Sequence, residues 1–176
     1  MRKALQIIGL LSFFFAWRSS DCVTYKLTNV KCESLNQSWV TINECRLKAI
    51  SRDKTIFNFN ASLHQPTKDI VMDWQLLKRA SGYKPWLYKK KIDGCKFMRK
   101  PYDALTILFF NIYRPFSNIN HTCPYSGDLL VRGMHLTTKL TLPYPSGDYM
   151  LQINWLFYRK VQFVTNISYE FVENII

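Results

Sequence analysis

Apolar and polar side chains alternate along several segments of this 176-residue chain, and a two-residue period is typical of a β-strand with one buried face. In residues 56–63 the apolar face carries Phe57, Phe59, Ala61 and Leu63. The same alternation runs through residues 70–77, 149–158 and 161–171, and it places Val161 on the inner face with Phe163. Shorter candidate strands are residues 24–32, 39–50, 86–92 and 129–142.

Clusters of Gly, Pro, Asn, Asp and Ser separate these segments and predict turns. The expected turns are residues 34–37, 51–54, 64–69, 81–82, 126–128 and 143–148. Roughly eight short strands at this spacing predict a mainly β domain, an antiparallel β-sandwich whose two sheets share one interior.

One segment, residues 101–116, has a helical period instead. Leu105, Leu108, Phe109 and Ile112 fall at positions i, i+3, i+4 and i+7, which form one stripe of a helix. Pro101 and Asp103 suit a helix start, and Pro115 suits its end. We expect a single short helix that covers the mouth of the sandwich.

The first 22 residues read as a cleaved secretion signal. Arg2 and Lys3 precede an apolar run over residues 4–17, which is shorter than the roughly 20 residues of a membrane span. Cleavage after Cys22 places Ser20 and Cys22 at the two small positions that the signal peptidase prefers. The expected product is one secreted, soluble domain over residues 23–176.

The cysteine count supports that cut, because losing Cys22 leaves four cysteines of the original five. In a secreted chain these predict two disulfides rather than a metal site, and four cysteines allow three pairings. We favour Cys32 with Cys45 and Cys95 with Cys123, since the second pair would tether the helix. Cleavage further upstream would leave Cys22 as an unpaired thiol.

Four glycosylation sequons also agree with a secretory route. Their asparagines, each expected to face solvent, are Asn36, Asn60, Asn120 and Asn166.

The chain is basic, with a net charge of +12 that falls to +10 without residues 1–22, which hold three basic residues and one acid. Such a charge favours anionic surfaces, and a secretion signal argues against nucleic acid as the partner. The densest cluster is opposed only by Asp93. Most such runs are solvated surface; the functional alternative is a basic rim for an anionic headgroup or membrane surface. The expected rim residues are Lys84, Lys89, Lys90, Lys91 and Lys96.

Catalytic and metal-binding motifs are missing from the sequence. His64, His121 and His135 lie in no nucleophile, metalloprotease or zinc pattern. We therefore expect a protein that is not an enzyme and uses no cofactor or metal.

Aromatic residues are abundant: 12 Phe, 10 Tyr and 5 Trp. They fit either a filled sandwich core or a cavity between the sheets, and periodicity does not distinguish the two. The candidate lining residues are Phe57, Phe59, Trp74, Leu76, Leu108, Phe109, Ile112, Ile153, Trp155 and Phe157.

Six short motifs, taken in order, resemble a known family. They are residues 27–33 (LTNVKCE), 45–52 (CRLKAISR), 82–88 (GYKPWLY), 93–97 (DGCKF), 117–125 (SNINHTCPY) and 142–149 (LPYPSGDY). The chain resembles a large family of uncharacterised secreted proteins of insects, chiefly flies. That family is related to ML lipid-recognition domains and to chemosensory proteins of the ganglioside-activator type.

The resemblance implies an immunoglobulin-like sandwich that opens at one end for a hydrophobic ligand, and for some relatives a role in taste or pheromone perception. Cys32, Cys45, Cys95 and Cys123 match the family cysteines, and Cys22 lies outside the pattern. The family offers no ligand-contact residues to carry over. At Pro85, Pro124, Gly147 and Asp148 the match implies a role in backbone geometry.

Two functions remain open on the sequence. The first is a secreted, monomeric carrier or presenter of a hydrophobic small molecule or lipid, with membrane or receptor contact as a further option. The second is an extracellular interaction protein with a filled core, whose basic face binds a receptor or an anionic glycan.

Overall fold

The computed structural model describes residues 22–52, 54–136 and 145–174. Within them the chain forms eight strands: β1 (Cys22–Ser34), β2 (Val40–Ala49), β3 (Thr55–Thr67), β4 (Ile70–Ala80), β5 (Gly82–Asp93), β6 (Tyr125–Met134), β7 (Gly147–Phe157) and β8 (Lys160–Asn174). Two helices, α1 (Gly94–Arg99) and α2 (Ala104–Tyr113), and a 3-10 turn, Arg114–Phe116, lie between β5 and β6. Most of the expected secretion signal lies outside the described residues. Among those residues, no helix has the length and apolar character needed to cross a membrane.

The strands form two antiparallel sheets. The larger has the order β1-β8-β7-β4-β5 and the smaller the order β2-β3-β6. This arrangement confirms the expected mainly β sandwich. The sheets meet where β1 lies beside β2, and the Cys32–Cys45 disulfide joins these strands. On the opposite side the helical segment lies between β6 and the β4–β5 pair.

The alternating pattern of β3 is confirmed, because Phe57, Phe59, Ala61 and Leu63 are all buried. The pattern fails at the start of β8. Trp155 pairs with Phe163 but Leu156 pairs with Val161, so Gln162 is an extra residue in β8. This bulge reverses the facing of the preceding residue. Val161 is therefore 38% exposed, and its predicted inward position is wrong.

Two of the predicted turns, residues 64–69 and 126–128, form strand wholly or in part. Residues 64–67 continue β3, and residues 126–128 lie within β6. The register between these strands shifts between Leu63 and Thr67, and Gly127 adopts φ +72°. A glycine at positive φ lets a strand bend without ending it. The strand predicted over residues 129–142 ends at Met134, and its residues 137–142 lie outside the described residues.

The predicted helix is α2, but its most buried residues are Thr106 and Phe110. The predicted stripe of Leu105, Leu108, Phe109 and Ile112 is only half-buried. The stripe is incomplete because α2 is apolar on most sides and packs against both the main core and a smaller cluster around Trp74. The prediction of a single helix also missed α1, whose six residues are too few to show a period.

Both helices begin at an aspartate whose carboxylate accepts a backbone hydrogen bond. The carboxylate of Asp93 accepts from the Lys96 backbone N–H (2.8 Å), and that of Asp103 accepts from the Thr106 N–H (2.9 Å). The second disulfide joins Cys95 in α1 to Cys123, two residues before β6. Both disulfides are the pairs favoured from the sequence. The Cys95–Cys123 bond attaches the helical segment to the smaller sheet.

Candidate functional site

An apolar cavity of about 170 Å³ lies between the two sheets and the helical segment. β3 and β6 contribute one wall, β4, β7 and β8 a second, and α1 and α2 a third. The interior is thus not completely filled. For scale, a cavity of about 150 Å³ lined by Leu, Ile and Phe stays dry and binds benzene.

Most of the predicted lining residues meet at this cavity. Those on its wall are Phe57, Phe59, Trp74, Phe109, Ile112, Ile153, Trp155 and Phe157. Leu76 and Leu108 lie off this wall. Leu76 is fully buried in the packed core, and Leu108 packs half-buried against that core. Periodicity identifies the inner face of an element but not which inner residues border open space.

Other wall residues were not predicted from the sequence. Phe163 and Tyr169 come from β8, where the alternation already put them on the inner face. Tyr113, four residues after Phe109, continues the predicted stripe of α2. Phe97 comes from the unpredicted α1 and Phe110 from a face of α2 outside the stripe, and for these two the sequence signal was only their aromatic character.

Two tryptophans that line the cavity donate hydrogen bonds to threonines that also line it. The indole Nε1 of Trp74 donates to Thr106 Oγ1 (3.1 Å), and that of Trp155 donates to Thr165 Oγ1 (3.0 Å). These bonds satisfy both indole N–H groups, so neither needs an acceptor from a ligand. The cavity keeps its apolar character although two tryptophans and five hydroxyl-bearing residues contribute to its wall, namely Thr106, Tyr113, Tyr125, Thr165 and Tyr169.

The Trp74 pair continues to the helix start. Thr106 Oγ1 donates to Asp103 Oδ1 (2.8 Å), and Lys90 Nζ lies 3.3 Å from the other carboxylate oxygen. Burial raises the pKa of the Asp103 carboxyl, but the Thr106 hydrogen bonds and the Lys90 charge outweigh it and lower the pKa below its ordinary value of 3.8. The charged carboxylate therefore holds α2 against the β4–β5 pair.

Two tyrosines on the wall differ in their hydroxyl groups. Tyr125 donates its hydroxyl hydrogen to the backbone carbonyl of His121, and burial raises its pKa. Burial raises the pKa of Tyr113 further, with a smaller contribution from Tyr125. Within residues 22–52, 54–136 and 145–174, the Tyr113 hydroxyl has no hydrogen-bond partner. Its phenol is therefore neutral at physiological pH and free to donate.

The predicted basic rim lies on the sheet edge and in α1, and none of its five lysines is among the described wall residues. Lys84, Lys89, Lys90 and Lys91 belong to β5, the last strand of the larger sheet, where lysines discourage edge-to-edge pairing. In the β4–β5 register Lys90 is paired with Trp74 and Lys91 with Asp73, so the two lysines lie on opposite faces of the sheet. The cluster is thus divided between two faces, and Lys90 is paired with Asp103.

Each histidine makes a local contact. His64 Nε2 lies 2.8 Å from Thr41 Oγ1, His121 Nδ1 lies 2.7 Å from the Thr122 carbonyl, and His135 Nδ1 lies 3.1 Å from the Gly133 carbonyl. The described part of the chain contains no group of three His, Cys, Asp or Glu side chains placed to hold a metal ion.

The four sequon asparagines are not equally open. Asn120 is exposed, and the other three are half-buried. Asn36 Nδ2 donates to Gln162 Oε1 (2.9 Å), and Asn60 Oδ1 accepts from Asn43. Asn166 lies in β8 between β1 and β7, and its buried Oδ1 has no partner among the described residues. The expectation that each of these asparagines faces solvent holds for Asn120, and the buried Oδ1 of Asn166 departs from it.

A family described as "Protein of unknown function (DUF1091)" matches residues 72–151, which run from β4 to the middle of β7 and include both helices and the Cys95–Cys123 disulfide. No curated protein matches the chain.

Proposed function

We propose that this protein is a secreted, non-enzymatic carrier or presenter of a small hydrophobic molecule, which it holds between the two sheets. The observation that carries the proposal is the apolar cavity of about 170 Å³. The hydrogen bonds of Trp74 and Trp155 to threonines support the proposal, because they satisfy both indole N–H groups without a polar ligand. A role in taste or pheromone perception rests on the family resemblance alone.

Binding comes from removing the ligand's apolar surface from water. Each buried methylene contributes about 0.8 kcal/mol, so affinity rises about fourfold per methylene until the cavity is full. In a series of straight-chain alkanes, we expect that rise to stop at a chain length set by the cavity volume. If affinity instead kept rising with alkane length, the ligand would bind an open surface and not the cavity.

The direct test uses tryptophan fluorescence and 1-bromohexane, an apolar probe whose bromine quenches an indole at short range. Trp74 and Trp155 line the cavity. We expect saturable quenching in the wild-type protein. The variant Ile153→Phe fills part of the cavity and should weaken that quenching strongly.

Leu87→Phe is the matched control, because Leu87 is 69% exposed on β5. It should leave quenching unchanged, and thermal unfolding verifies that both variants are folded. Equal quenching in Ile153→Phe, Leu87→Phe and wild type would overturn the cavity as the binding site. Native mass spectrometry and lipid extraction of the secreted protein then identify a co-purified ligand.

A further inference from the structure

Tyr113 brings a polar atom to a wall that is otherwise apolar or internally hydrogen-bonded. It is the last residue of α2, its ring lines the cavity, and it packs edge-on against Phe110 with 5.3 Å between the ring centres. The side chain is half-buried, and within the described ranges its hydroxyl has no hydrogen-bond partner. A hydroxyl that faces an apolar surface without a partner forgoes a favourable hydrogen bond, which a ligand with an acceptor can supply.

The other polar atoms around it are already engaged. Trp74, Trp155 and Thr106 are bonded within the wall, and Tyr125 donates to the His121 carbonyl. Thr165 Oγ1 accepts from Trp155, so among these side chains of the described ranges the hydroxyl of Tyr113 is the one without a hydrogen bond and is available to donate to a molecule inside the cavity.

Charge narrows the class of ligand. The part of the wall that the structure describes contains no Lys, Arg, His, Asp or Glu side chain. A carboxylate or phosphate inside would lie in an apolar medium without a counter-charge, which is strongly unfavourable. Because the pKa of Tyr113 is raised by burial, its phenol keeps its proton and donates a hydrogen bond.

From these contacts we propose that the ligand is an uncharged, mainly hydrocarbon molecule with one acceptor oxygen, such as the carbonyl of a ketone or ester, which accepts a hydrogen bond from Tyr113. This inference rests on the proposed function. It goes beyond it by naming the ligand's chemical class and the residue that orients it.

The test compares 2-octanone, octane and octanoate, which have the same carbon number and differ in polar group. Each competes with 1-bromohexane for the cavity of the wild type and of Tyr113→Phe. This substitution removes one oxygen without changing the ring. Tyr158→Phe is the control, because Tyr158 is 48% exposed and outside the cavity wall.

We expect Tyr113→Phe to weaken the binding of 2-octanone by about 5- to 50-fold, the range for losing a hydrogen bond inside a protein. The affinity for octane should change by less than about twofold. Octanoate should compete more weakly than 2-octanone in the wild type, and Tyr158→Phe should change nothing. Equal effects of Tyr113→Phe on octane and 2-octanone, or tighter binding of octanoate, would overturn the inference with the carrier function intact. Failure of all three ligands and of 1-bromohexane to bind the wild type would instead refute the proposed function.

Discussion

The indole Nε1 of Trp74 in β4 donates a 3.1 Å hydrogen bond to the hydroxyl of Thr106 in α2, and both residues are buried. This bond connects the larger sheet to the helical wall of the cavity. Trp74 also packs edge-on against Phe109, with 5.4 Å between ring centres. The position of α2 therefore depends on this buried hydrogen bond as well as on the Lys90–Asp103 ion pair at the helix start.

Thr106→Val should destabilise the protein by about 1–3 kcal/mol, because it leaves the buried Trp74 N–H without an acceptor. Thr106→Ser keeps the hydroxyl and should cost clearly less. Urea unfolding measures both. If valine and serine cost the same, packing of the threonine methyl group would explain the effect instead of the hydrogen bond.

Acid should weaken the start of α2. The pKa of Asp103 is lowered in the folded protein, so its carboxylate contributes stability above pH 3.8, and that contribution is lost as the pH falls further. Asp103→Asn keeps a side chain that caps a helix but does not titrate. The stability of this variant, measured by urea unfolding from pH 6 to pH 2.5, should fall less than that of the wild type. Parallel curves would show that Asp103 has no part in the acid response.

The two disulfides should differ in their effect on the cavity. They span 28 residues (Cys95–Cys123) and 13 residues (Cys32–Cys45). From loop length alone, removing either pair by serine substitution should cost about 3–4 kcal/mol. Only the Cys95–Cys123 bond holds the helical wall, so its removal should reduce 1-bromohexane quenching more. The comparison is made at a temperature where both variants remain folded, and equal quenching would contradict a separate role for this bond.

A substitution in the turn between β7 and β8 should increase the stability of the protein. Tyr158 and Arg159 both have positive φ, +48° and +66°, a conformation that costs an ordinary residue roughly 1–2 kcal/mol. Arg159→Gly should therefore stabilise the protein by about 0.5–1 kcal/mol, after the greater chain entropy of glycine in the unfolded state is deducted. Arg159→Ala removes the same side chain but keeps the strain, so it should give no gain in urea unfolding. A gain shared by alanine would point to the arginine side chain instead.

Much of the fold could be predicted because its signals are local. The alternation of Phe57, Phe59, Ala61 and Leu63 reflects the two-residue period of a strand, which the chain carries whatever it packs against. The helix start at Asp103 was also accessible from spacing and residue type, and the structure contains the favoured one of the three cysteine pairings that the sequence allows. Val161 was misplaced because a single-residue bulge leaves no mark on composition.

The sequence by itself determined the inward face of strands such as β3 and the apolar character of that face. Only the tertiary structure decided that the inward faces enclose about 170 Å³ of space, that Leu76 lies off the wall of that space, and that Tyr113 brings to it a hydroxyl without a hydrogen-bond partner in the described ranges. The reason is that a cavity depends on the distance between the walls. The Cys32–Cys45 junction sets that distance on one side, and on the other it is set by the helical segment, which Trp74, Thr106 and the Cys95–Cys123 bond hold in place.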